Sequence, residues 1–121
     1  MKNILNYEKL NYIPDNLYHF TLSENVKNIY NDSMLKADSY GYVYLTETLE
    51  DAEKFANRYA NIRKINIEEF SIIEIDTDEI EIDINNLYLS TDHNPEYFLG
   101  AKAIAYNDDL EIFDFIEYNF N

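Results

Sequence analysis

At 121 residues the chain has the size of one domain and can bury about two thirds of its unfolded surface without a metal or a disulfide. It has no cysteine, which excludes thiol chemistry, disulfides and thiolate zinc sites. Twenty-four acidic residues against nine basic ones give a net charge of −15, a surface that repels phosphate backbones and anionic membranes and so argues against direct nucleic-acid or membrane binding.

Residues 1–15 read as a polar, weakly amphipathic lead-in that stops near Pro14. Charges interrupt it, so it lacks the apolar core of a signal peptide, and no stretch approaches the roughly 18 to 20 apolar residues of a membrane span. A cytoplasmic protein is the expectation. Residues 16–20, with Leu17, Tyr18 and Phe20, read as a short strand. Ser23 is the predicted cap of a helix carrying Val26, Ile29 and Tyr30 on one face. Asn31-Asp32-Ser33 ends that helix, and Leu35 packs back. Tyr40-Gly41 signals a turn into a strand at Tyr42–Thr46. Thr48 then caps a second helix. Leu49, Ala52, Phe55, Ala56 and Tyr59 share its apolar face, and Glu50, Asp51 and Glu53 suit its N-terminal dipole.

Residues 61–69 are predicted to connect, and Phe70–Thr77 to form a strand with a continuous apolar start. Ile80, Ile82 and Ile84 alternate with acids as on a half-exposed strand. Residues 90–95 read as a loop. Glu96–Ile104 is predicted as a strand with Gly100 at a bulge, and Leu110–Tyr118 as the strand that closes the sheet. The order is that of one small α+β domain over 1–121, its helices early and its antiparallel strands late.

Three stretches stand out together: Leu17-Tyr18-His19-Phe20-Thr21 at the first strand, Gly41-Tyr42-Val43-Tyr44-Leu45 in the second, and Glu96 opening a late one. From about Leu17 to Tyr118 the chain resembles the ADP-ribosyltransferase superfamily, in its His-Tyr-Glu branch with diphtheria toxin, the poly(ADP-ribose) polymerases and small bacterial and phage members. The resemblance implies two early helices packed on a mostly antiparallel split sheet, with NAD as substrate and no metal. It implies Glu96, His19 and Tyr44 as the catalytic set. His19, Phe20, Thr21, Tyr44 and Phe55 would bind NAD. In these implied roles Tyr44 and Phe55 clamp nicotinamide, the Phe20 backbone holds its carboxamide, and His19 bonds the other ribose. Glu96 would hold the ribose 2′-hydroxyl and stabilise oxocarbenium charge as the glycosidic bond breaks.

The chain departs from the family where bases are concerned. Lys36, Arg58, Arg63 and Lys64 are the mid-chain candidates for the NAD diphosphate, and none has a diagnostic spacing. Asn94 stands two positions before Glu96, which argues against the arginine-modifying subclass. Asp92 and His93 are an alternative acid and base. Two function classes stay open. One is a mono-ADP-ribosyltransferase acting on a protein target, as a toxin or a phage anti-defence effector such as an anti-CRISPR protein. The other is a non-enzymatic acidic inhibitor or DNA mimic that binds a basic surface.

Overall fold

The computed structural model describes residues 7–90 and 99–120. In chain order these form β1 (Tyr7–Lys9), β2 (Asn16–Leu22), α1 (Ser23–Asp32), β3 (Met34–Leu35), β4 (Val43–Leu45), α2 (Leu49–Arg63), β5 (Phe70–Asp76), β6 (Leu87–Ser90), β7 (Ala103–Tyr106), β8 (Leu110–Glu111) and β9 (Ile116–Asn119). The class is α+β. Strands pair antiparallel in a four-stranded sheet ordered β1-β6-β7-β4, a three-stranded sheet ordered β2-β5-β9, and the pair β3-β8. Among the described residues an isolated bridge, Tyr18 to Thr46, joins the edge of the first sheet to the edge of the second.

Period-two alternation decides which side chains reach the core. From the four-stranded sheet Val43, Leu45, Leu87, Ile104 and Tyr106 point one way. They meet Leu17, Ile73 and Ile75 of the three-stranded sheet and Val26 and Ile29 of α1 in the main core. β5 is buried over most of its length, which explains its unbroken apolar start. A second, smaller cluster joins Phe55 of α2 to Ala101 and Ala103, with Phe20 packed against it.

The helices end close to where the sequence places them. Thr48 caps α2, its hydroxyl accepting the Asp51 N–H at 3.1 Å. Ser23 does not cap α1. It is the first helical residue, Leu22 is the cap, and the Ser23 hydroxyl instead bonds the buried Ser71 hydroxyl at 2.6 Å. Helix α2 runs on to Arg63 and closes at Lys64 in the left-handed region, so the predicted connector is shorter than 61–69.

Three strand predictions are corrected. Ile80, Ile82 and Ile84 alternate but form no strand: a 3-10 turn at Thr77–Glu79 precedes them, and Ile84 itself opens another at Ile84–Asn86. The Asp76 and Asp83 carboxylates accept the Asp78 and Asn85 N–H groups and so stabilise turns in place of a ladder. Of the late strand predicted over Glu96–Ile104, residues 96–98 lie outside the described residues, and the strand among the described ones spans Ala103–Tyr106. Leu99 and Gly100 form a turn with positive φ, 57° and 79°, so Gly100 is a turn residue and not a bulge. Residues 110–118 make two strands in two sheets, because Leu110–Glu111 pairs with β3 whereas Ile116–Asn119 pairs with β5. Tyr7–Lys9, read as lead-in, pairs with β6.

Candidate functional site

The split between the sheets arises at one rung. At the bridge the Tyr18 N–H donates to the Thr46 carbonyl and the Thr46 N–H to the Tyr18 carbonyl, both at 2.8 Å. In an antiparallel ladder the next such rung would join Phe20 to Tyr44. No backbone bond joins those two among the described residues. In its place the His19 ring takes the Tyr44 carbonyl, Nδ1 to O at 2.8 Å. Alternation therefore turns the Phe20 N–H and C=O toward the gap. The ladder is wedged open by a side chain from the strand it would have joined.

Against the gap lies a cavity of about 520 Å³, within the size range of small-molecule sites. His19, Phe20, Tyr44 and Phe55 line it together with Ser90 and Ala103. Small residues on β6 and β7 leave its space. Ala103 and Ala105 face away from the main core, opposite Ser90 and Tyr88, so this face of the four-stranded sheet is not filled by aliphatic side chains. Helix α2 forms another wall with Phe55 and Tyr59, and the Tyr59 ring lies 5.3 Å from Phe20.

His19 has a defined tautomer. A carbonyl only accepts, so Nδ1 carries the proton, and in the neutral ring Nε2 is an acceptor. Burial lowers the imidazole pKa below its ordinary 6.5, outweighing the opposing effect of the Tyr44 carbonyl. At pH 7 the ring is neutral. Tyr44 is held as well: its hydroxyl and that of Tyr7 are hydrogen-bonded, and Tyr7 packs edge-on against Tyr42 at 4.7 Å. Tyr18 also lines the cavity, and its phenol pKa is raised by burial and by its bond to Glu74.

Four of the sequence-predicted residues, His19, Phe20, Tyr44 and Phe55, thus meet at one cavity. Thr21 does not line it; its hydroxyl accepts from the Asn25 amide at 3.1 Å at the start of α1. Glu96, and with it Asp92, His93 and Asn94, lies outside the described residues. Of the four candidate bases, only Lys36 lines the cavity. Arg58 and Lys64 line a separate groove with Lys54, and Arg63 stands over the Tyr59 ring at 5.7 Å. Tyr7, Ser90 and Ala103 were not singled out by sequence reasoning, and Tyr42 and Tyr59 were given no site role. The signal for the small floor was present in the alternating alanines of Ala101-Lys102-Ala103-Ile104-Ala105.

Among the described residues no group of three His, Asp or Glu side chains is arranged to hold a metal, and no helix is long and apolar enough to cross a membrane. No family model matches the chain, and no curated protein matches it either.

Proposed function

We propose that the chain is a mono-ADP-ribosyltransferase that binds NAD in this cavity and transfers ADP-ribose to a protein. The missing rung at Phe20 and Tyr44 carries the reading. An N–H and a C=O of one residue, side by side at an apolar cavity, complement a primary carboxamide, which offers one acceptor and one donor. Nicotinamide is such a group on a flat ring. Tyr44 and Phe55 supply aromatic surface there, worth on the order of 1 kcal/mol each beyond burial. Neutral His19 offers Nε2 as acceptor to a ribose hydroxyl.

In the proposed step the bond between the ribose anomeric carbon and the nicotinamide nitrogen breaks. Its electron pair leaves with nicotinamide, which becomes neutral. A nucleophilic side chain of the target bonds the anomeric carbon and loses its proton. Glu96 stabilises the positive charge that develops on the sugar. The test is incubation of labelled NAD with the protein and a host lysate, comparing wild type with Glu96→Gln. Transfer by wild type and a loss of about 10²- to 10³-fold in the variant are expected, which is roughly 3–4 kcal/mol of barrier. An equal rate in the variant removes Glu96 from the mechanism, and no transfer by wild type removes the activity.

The net charge of −15 favours a second reading, an acidic inhibitor or DNA mimic that binds a basic partner without chemistry. Asp78, Glu81 and Asp83 share a hollow with Asp108, Asp109 and Glu111, so much negative charge is concentrated on one side. Such binding needs neither NAD nor Glu96 and weakens steeply with salt.

A further inference from the structure

The cavity wall is graded along one segment of chain. Residues 36, 38, 40 and 42–46 all line it. Lys36, Asp38 and Tyr40 are exposed at the rim, Tyr42 and Tyr44 are half-buried, and Phe55 and Ala103 at the inner end are only 3 % exposed. A ligand whose flat ring sits against Phe55 and which extends along this segment reaches the rim.

Two features of the rim suit one chemistry. Lys36 is the one cation on the wall among the described residues. Its ion pair with Asp32, one helical turn away at 3.6 Å, is solvent-exposed and therefore weak, so the ammonium can turn to a stronger anion. Tyr40 is 64 % exposed, the most exposed large apolar side chain among the described residues, yet its backbone is fixed. The Asp38 carboxylate accepts the Tyr40 and Tyr42 N–H groups at 2.9 and 3.2 Å. The Asp38 N–H and C=O bond Tyr42 and Gly41, both at 2.9 Å. Gly41 supplies the φ of 91° that this turn requires. A ring presented on a rigid turn stacks on a base with little ordering cost. The same two N–H groups offset part of the Asp38 charge, which otherwise opposes an anion beside Lys36, and Asp32, about half exposed, is left to solvent when the lysine turns.

We infer that this rim holds the ADP half of NAD, with the diphosphate on the Lys36 ammonium and adenine stacked on the Tyr40 ring. The inference rests on the reading of the cavity as an NAD site. Calorimetric titration with NAD and with nicotinamide riboside, which lacks the ADP half, separates the two. Wild type should bind NAD more tightly than nicotinamide riboside. Lys36→Gln and Tyr40→Ala should each weaken NAD by about tenfold and leave nicotinamide riboside unchanged, with Lys36→Arg restoring NAD binding. Matched circular dichroism and melting temperatures exclude misfolding as the cause. Equal affinity of wild type for the two ligands, or variants that bind NAD as wild type does, overturns the rim assignment and leaves the cavity reading standing. Wild type that binds neither ligand overturns both.

Discussion

The two faces of the four-stranded sheet differ sharply although the same strands build both. One face presents Val43, Leu45, Leu87 and Ile104 to the main core. The other presents Tyr44, Ser90, Ala103 and Ala105, with the tyrosines hydrogen-bonded or packed on each other and small residues between them. Branched aliphatic side chains fill the first face, where packing supplies stability. Polar-tipped aromatics and small residues leave the second face with a cavity, and aromatic rims of this kind recognise ligands. Val43 and Leu45 also reach the cavity lining, but they belong to the main core and Tyr44 does not, so adjacent residues in one strand serve different ends.

The comparison can be broken most strongly at Leu45, which is only 2 % exposed. Leu45→Ala should cost about 2–5 kcal/mol in urea unfolding, because the methyl groups lost leave a void in a packed core. Its neighbour Tyr44 should behave differently. Tyr44→Leu removes the stacking ring and the bond to Tyr7, so NAD affinity should fall by roughly two- to tenfold, while unfolding changes by about 0.5–1.5 kcal/mol. A Tyr44 variant as destabilised as Leu45→Ala would erase the distinction between the faces.

Acid gives a smaller effect with a defined sign. The folded-state pKa of His19 is lowered and the unfolded value is 6.5, so the unfolded chain binds more protons as pH falls below about 6.5. The stability contributed by the neutral ring is present above that pH and is lost as pH falls through the folded pKa. His19→Asn retains a donor to the Tyr44 carbonyl and does not titrate. Between pH 7.5 and 5, wild type should therefore lose more stability than His19→Asn in urea titrations. Equal losses would mean that the ring is not held neutral by burial.

Much of this fold was legible where the controlling interaction is local. The Thr48 cap, the apolar face of α2 and the turn at Gly41 each follow from residues within a few positions of one another. The parts that were not legible depend on distant partners. Residues 80–84 carry a strand pattern, but Asp76 and Asp83 close turns around it. Residues 110–118 alternate apolar and acidic except around Asp114, where Ile112-Phe113 and Phe115-Ile116 stand together, and there Ile112 donates its N–H to the Ser33 carbonyl and the chain moves between two sheets. Tyr7–Lys9 has no periodicity to reveal it, because β6 alone makes it a strand. For the candidate site, His19, Phe20, Tyr44 and Phe55 were expected from the family resemblance of the motifs that carry them. The opened rung that joins them was not, since it depends on how a ring nitrogen replaces a backbone donor.

The missing Phe20–Tyr44 rung is the central claim and can be observed through one amide. With phenylalanine selectively labelled with ¹⁵N, the Phe20 N–H should shift on saturation with NAD and also with nicotinamide alone, as it gains an acceptor. The amide of Phe113, whose side chain is exposed and which lines neither the cavity nor its rim, should not move. A Phe20 amide unchanged at saturating NAD would contradict the account.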